Sequence, residues 1–312
     1  MKKIFQSLIN TYFKSYLQKK QFLNGHSNII MHRKNYKNLK CLNDIEYKVF
    51  SQSGEDGIID FLLHNLKIIK PKFIEIGVGD YSEANTRFIY ERCSPKGFII
   101  DCLKNLKKKV SKNVKMWAGD LVVVEDYINS KNILDILQEN NFIDNIDLFS
   151  IDVDGIDYWI LEKLPSNFSK IVVVEFNANF GEKLEITVPN IENFNRTKYH
   201  YSNLFFGMSL KAAINLMEKK NYYFVGTNLM RSNAFFISKD YAKEEYFPNI
   251  EIDKISVISD VNFRESRDKT GELNFLRGKE KIEEIKECEV IDLSNEQNKI
   301  IKIKKLLETN YK

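Results

Sequence analysis

The sequence predicts an α/β fold, a mostly parallel seven-stranded sheet with helices on both faces and a terminal antiparallel hairpin. Three observations predict it. The first is Phe73-Ile74-Glu75-Ile76-Gly77-Val78-Gly79-Asp80, then a helical segment, then Gly97-Phe98-Ile99-Ile100-Asp101. This is strand, glycine turn, helix and a second strand ending in an acid, half of a nucleotide-binding βαβ unit. The second is a pair of β-branched apolar runs at 146–153 and 171–176, separated by a helical stretch at 157–164, as a doubly covered parallel sheet requires. The third is a helix opened by Ser209, followed by strands at 222–226 and 234–237 with a short polar turn between them, so that the two pair antiparallel.

The glycine turn sets the ligand class. Gly77 and Gly79 let the backbone turn sharply and leave room for a ligand. Asp101 stands where the end of the next strand brings a carboxylate to a ribose diol. The third glycine of a dinucleotide fingerprint is replaced by Ser82, and Glu75 just before the turn would repel a pyrophosphate. S-adenosylmethionine carries no phosphate and has a cationic amine and a sulfonium that an acid attracts, so the turn favours that cofactor over NAD.

With 312 residues, 43% of them apolar, the chain can bury a large core. Its net charge of +4, from 47 basic and 43 acidic residues, gives no reason to expect nucleic acid. Cys41, Cys93, Cys102 and Cys288 form no C-x-x-C pair and read as reduced thiols. With no apolar run of membrane-spanning length and no signal core, a cytoplasmic protein is expected. Ile4, Phe5, Leu8, Ile9, Tyr12, Phe13, Tyr16 and Leu17 fall at helical spacing among Lys2, Lys3, Lys14, Lys19 and Lys20. Residues 1–20 are then either a peripheral contact with the inner face of a membrane or a helix docked on its own domain or on a homodimer partner, and the docked reading is preferred.

The chain divides into 1–47 (amphipathic helix and connector), 48–246 (catalytic domain) and 247–312 (charged accessory segment). Residues 25–47 read as a polar connector with solvated His26 and His32. Ser53 and Asp56 have capping-box spacing ahead of Ile58, Ile59, Phe61, Leu62 and Leu63. Ser82 is placed to cap the next helix, 103–112 reads as a lysine-rich surface helix, and 114–117 reads as a third strand ending at Ala118-Gly119-Asp120. The polar, aromatic segment 178–206 shows no period and is expected to be a substrate-facing lid. Beyond 247, Arg264 and Arg267 could clamp a phosphate or carboxylate, and a solvated helix is expected from Ser294 onward.

Asp152 and Asp154 end the fourth strand, and Glu175 and Asn177 the fifth, both opening onto the crevice beside the glycine turn. This oxygen-only set suits Mg²⁺, which would lower the pKa of a substrate hydroxyl and hold the alkoxide in line with a sulfonium methyl. Without a metal, Asp154 or His200 is the candidate general base.

Val49-Phe50-Ser51-Gln52-Ser53-Gly54-Glu55-Asp56-Gly57, the Phe73 to Gly79 turn, Ser150-Ile151-Asp152-Val153-Asp154-Gly155-Ile156-Asp157-Tyr158-Trp159 and Val174-Glu175-Phe176-Asn177 resemble the FkbM-type S-adenosylmethionine-dependent methyltransferases. The resemblance spans residues 49–238. It implies a Rossmann-like class I methyltransferase fold and O-methylation of a small-molecule or glycan acceptor, often in surface-polysaccharide biosynthesis. By position it gives Glu75 the methionine end of the cofactor, Asp101 the ribose and Asp120 with Leu121 the adenine; Ser53, Gly77 and Gly79 are further candidate cofactor contacts. Asp80-Tyr81 stands where a further glycine is usual. Three other readings stay open: a phosphatase of the haloacid dehalogenase type using D-x-D-G, a D-x-D nucleotide-sugar transferase, and a non-catalytic scaffold in glycan assembly.

Overall fold

The strand Phe73–Ile76 (β1) is apolar toward both faces, and that places it at the centre of a sheet. In the computed structural model, which describes residues 2–39, 41–181, 183–241, 265–295 and 297–310, two helices precede it, Lys2–Arg33 (α1) and Glu55–Asn65 (α2). Helix and strand then alternate: Arg87–Cys93 (α3), Lys96–Asp101 (β2), Leu106–Val110 (α4), Asp120–Glu125 (β3), Ile133–Glu139 (α5), Ile146–Ile151 (β4), Asp157–Lys163 (α6) and Ser169–Glu175 (β5). A two-residue strand Ile186–Thr187 (β6) and a short helix Arg196–Tyr199 (α7) follow, then Leu210–Lys219 (α8), Tyr222–Thr227 (β7) and Asn233–Ser238 (β8).

The large sheet runs β3-β2-β1-β4-β5-β8-β7. Its first five strands are parallel, and β8 lies antiparallel between β5 and β7. This is the expected Rossmann-like seven-stranded layout. Strand order reverses between β1 and β4, so a crevice opens at their carboxyl ends. The period-two alternation sorts the core onto the two faces. Ile74, Ile76, Phe98, Ile100, Phe149 and Ile151 pack toward α5, α6 and α8, while Phe73, Ile99, Leu148, Ile171 and Val173 pack toward α2, α3 and α4. Each such buried side chain contributes about 1.5–3 kcal/mol.

A second sheet joins β6 to the C-terminal strands Glu289–Asp292 (β9) and Lys299–Lys302 (β10), after a helix Lys279–Glu284 (α9) and before Ile303–Asn310 (α10). Residues 178–206 are therefore not wholly aperiodic, and the chain after Ser294 enters a strand before its helix. That helix is half docked, because Ile303 and Leu306 are buried. Arg264 lies outside the described residues, and the Arg267 guanidinium donates to the Gly271 carbonyl.

Other local expectations are corrected. The third strand is Asp120–Glu125 rather than 114–117, where Met116–Ala118 forms a 3₁₀ turn and Trp117 faces solvent. Helix α2 starts at Glu55, two residues beyond Ser53, with Gly54 at its N-cap and no side-chain cap. Asp56 instead accepts the N–H groups of Val49, Phe50 and Ser51, and burial pushes its carboxyl up to about 6. Helix α3 begins after Thr86, well past Ser82. Helix α1 runs through the supposed connector to Arg33, because Ile29 is buried among Val49, Phe50 and Phe88 and Arg33 forks onto Asp60. Among the described residues no helix is long and apolar enough to cross a membrane.

Candidate functional site

Two adjoining cavities open at the carboxyl edge of the sheet and share Gly77, Gly79 and Asp152 in their walls. The first, of about 290 Å³, is lined by Ile100, Asp101 and Cys102 from the end of β2, by Asp126, Tyr127 and Ile128 beyond β3, and by Asp152 to Ile156 beyond β4, with Phe194 from the lid segment. The second, of about 280 Å³, is lined by Gln52, Glu75, Asp80, Glu83, Asn85, Asp152 and Asn233 among others. No Lys or Arg is among the described residues that line either one.

The glycine turn is built for close approach. Gly77 has φ +82°, and a Cβ there would sit 1.7 Å from the Asp152 carbonyl oxygen. Gly79 has φ +53°, and a Cβ there would meet nothing within 4 Å, because the residue faces the open space of the two cavities. The Gly79 N–H donates to Asp101 Oδ2 at 2.8 Å and the Leu103 N–H to Asp101 Oδ1 at 2.8 Å, fixing the carboxylate on the rim of the first cavity.

Glu75 lines the second cavity but is already engaged. Its oxygens accept from the N–H of Asn85 and Thr86 and from Thr86 Oγ1, so it closes the start of α3. Burial pushes its carboxyl up to about 7. The loop after β4 is held from below by buried Asp157, which accepts from the N–H of Val153 at 2.9 Å and of Gly155 at 3.1 Å. Burial pushes that carboxyl up to about 7 as well.

Asp152, Asp154 and Glu175 each bring a carboxylate oxygen within 4.8 Å of the others. Asp154, at φ +55° and half-exposed like Asp152, receives Arg196 Nη1 at 2.5 Å from the lid segment, while Glu175 is buried. Asn177 holds the lid segment: its amide nitrogen donates to the carbonyls of Leu204 and Phe206, and its oxygen accepts from the Asn179 N–H.

Three further placements differ from the sequence expectation. Asp120 and Leu121 open β3, opposite Lys96 and Gly97 at the amino edge of the sheet, so neither reaches an adenine in the crevice. The residues just beyond the other end of that strand, Asp126 to Ile128, line the first cavity. Ser53 gives its N–H to Glu55 and lines neither cavity, while the neighbouring Gln52 lines the second. His200 lines neither cavity. Its Nδ1 is 2.7 Å from Ser202 Oγ, its ring stacks on Tyr201, and desolvation lowers its pKa.

No family model matches the chain, and no curated protein matches it. Among solved structures it is similar to an O-methyltransferase family protein from Burkholderia thailandensis, with 9% identity and a TM-score of 0.36 over 59% of this chain and 57% of that one. It is also similar to an S-adenosylmethionine-dependent methyltransferase from Clostridium acetobutylicum, with 8% identity and a TM-score of 0.36 over 59% and 90% of the two chains. A third is human N-acetylserotonin methyltransferase in complex with SAM, with 10% identity and a TM-score of 0.34 over 59% and 53%. The match thus spans little more than half of the first of them. At these scores the fold class rests on the strand order, and the functional reading on the site itself.

Proposed function

We propose that the chain is an S-adenosylmethionine-dependent O-methyltransferase acting on a hydroxyl of a sugar or surface-glycan precursor. The observation that carries this reading is the pair of adjoining cavities walled by carboxylates, with neither Lys nor Arg among their described lining residues. Such walls repel phosphates and attract a ligand with a sulfonium and an ammonium, which counts against the phosphatase and nucleotide-sugar readings. The glycan class follows from the resemblance to FkbM-type enzymes.

The open space at Gly79 and the rim carboxylate of Asp101 fit the cofactor. When bound, it supplies an electrophilic methyl. Asp101 would accept from the ribose hydroxyls, Tyr127 and Ile128 would hold the base, and Asp152, shared by both cavities, would offset the positive charge. Asp154, a half-exposed carboxylate lining the first cavity, takes the proton of the acceptor hydroxyl. Arg196 steadies it, and Phe194 closes the cavity from the lid side.

A divalent ion is a second reading, favoured by the convergence of Asp152, Asp154 and Glu175. Hard oxygen donors suit Mg²⁺, which would polarise the acceptor hydroxyl. Arg196 already supplies Asp154 with a positive partner, so the ion would have to compete with it.

The test is transfer of a tritiated methyl group from the cofactor to a panel of free and nucleotide-linked sugars, with and without EDTA. The proposal expects label on a sugar oxygen and its loss in Asp154→Asn. Cofactor binding with no transfer to any hydroxyl acceptor would support the scaffold reading instead.

A further inference from the structure

Helix α1 has two apolar faces, and the domain uses only one of them. The inward face carries Gly25, Ile29 and Phe22, packed on Val49, Phe50 and Phe88. At 3.6 residues per turn, Phe5, Tyr12, Tyr16, Leu23 and Ile30 fall within an arc of about 40°, and Phe13, Met31 and Leu17 widen it to a face of about 140° that is centred opposite the inward one. All eight are exposed, Phe5 at 67%, Tyr12 at 71% and Met31 at 66%. The stripe is about 40 Å long at 1.5 Å per residue, far more apolar surface than a solvated helix face carries.

We propose that this outward face lies in the surface of an anionic lipid membrane. The 32 residues of α1 contain Lys2, Lys3, Lys14, Lys19, Lys20 and Arg33 and neither Asp nor Glu. Apolar and aromatic residues on one face with a purely basic charge set are the chemistry of an interfacial helix. Lysine stems can lie along the apolar stripe while their ammonium groups reach the headgroups. The positions 5, 9, 12, 16, 23 and 30 would also suit a coiled coil with a second copy. That partner is disfavoured because the same seam passes through Lys19 and His26 and every charge on both helices would be positive.

The ground beside the helix is basic too. A third cavity, of about 460 Å³, is lined by Lys14, Lys109 and Lys112 together with Asn113, Leu103 and Asp80. Lys14 Nζ donates to Asn113 Oδ1 at 3.0 Å, and Asn113 Nδ2 donates to the Asp80 carbonyl at 2.8 Å. Asp80 lines the second of the crevice cavities, so the anchor is bonded to the wall of the crevice. The proposal stands apart from the methyl-transfer reading, since it uses none of the residues assigned to that chemistry.

The experiment is co-sedimentation of the full chain with vesicles of phosphatidylglycerol and phosphatidylcholine in equal parts, and with phosphatidylcholine alone, alongside light scattering of the free protein. Binding to the mixed vesicles is expected to exceed binding to the neutral ones by at least about tenfold. Phe13→Ser with Leu17→Ser, and separately Lys19→Glu with Lys20→Glu, should abolish it; these side chains are exposed, and a thermal melt checks that the fold is kept. Wild-type protein left in the supernatant, equal binding to neutral vesicles, or binding that survives both double variants would overturn the proposal. So would a dimer in solution that Phe13→Ser with Leu17→Ser converts to monomer, because the face would then belong to a second copy.

Discussion

The Gly79 N–H donates to Asp101 Oδ2 at 2.8 Å, which makes the glycine turn after β1 and the acid at the end of β2 one rigid unit. The carboxylate that would meet a ribose is thereby oriented by the same turn that makes room for the ligand. Asp101→Ala removes a charge-assisted acceptor, worth about 1.5–3 kcal/mol. S-adenosylhomocysteine affinity should fall by about 10- to 100-fold on calorimetric titration. Unchanged affinity would take Asp101 out of the site.

The two ends of β3 give a paired prediction. Tyr127→Ala strips the wall of the first cavity and should weaken the same affinity by about tenfold, roughly 1.4 kcal/mol. Asp120→Ala, at the opposite edge of the sheet, should leave it unchanged and shift stability by no more than about 0.5 kcal/mol. A loss of binding in Asp120→Ala would return the adenine contact to that end of the strand.

Gly77→Ala should destabilise the chain by about 3 kcal/mol, because it forces a side chain into a positive-φ position and against the Asp152 carbonyl. Thermal unfolding measures it. A variant as stable as wild type would mean that the turn relaxes freely.

Glu75 sets a pH dependence. Burial holds its folded pKa at about 7, above the ordinary 4.5. Between those values the folded chain keeps a proton that the unfolded chain has lost. The stability linked to this group is fully present below pH 4.5 and declines as pH rises to 7. Glu75→Gln should flatten that part of the Tm profile, in part only, because Asp157 is shifted over the same window. An unaltered slope would mean that Glu75 is ionised throughout.

Arg196 and Asp154 lie 42 positions apart in the chain and meet only in the fold. Arg196→Ala should strengthen Mg²⁺ binding at Asp152, Asp154 and Glu175 by leaving Asp154 without that cation, as isothermal titration with MgCl₂ would register. No Mg²⁺ binding in either form would rule out the metal reading.

Which parts of this could be read from the sequence follows from what each signal depends on. The sheet was legible because runs such as Val172-Val173-Val174 can only be buried strand. The reading that puts the third strand at 114–117 rests on the apolar Val114, Met116 and Trp117, while the β-branched run Val122-Val123-Val124 after Leu121 is the stronger signal. The carboxylates at the strand ends were legible from topology, and Asp152, Asp154 and Glu175 do converge. The hydrogen bonds that tie Asn177 to Leu204 and Phe206, and Glu75 to Asn85 and Thr86, are not legible in the sequence, because only the fold brings these groups together. His200 looked catalytic by residue type alone, and the fold gives it to Ser202 and Tyr201.

The central claim is that the paired, carboxylate-walled cavities hold S-adenosylmethionine. Calorimetric titration of the purified chain with S-adenosylhomocysteine, with NAD as the control, tests it most directly. The account predicts micromolar binding of S-adenosylhomocysteine and none of NAD. Binding of NAD, or of neither ligand, would contradict it.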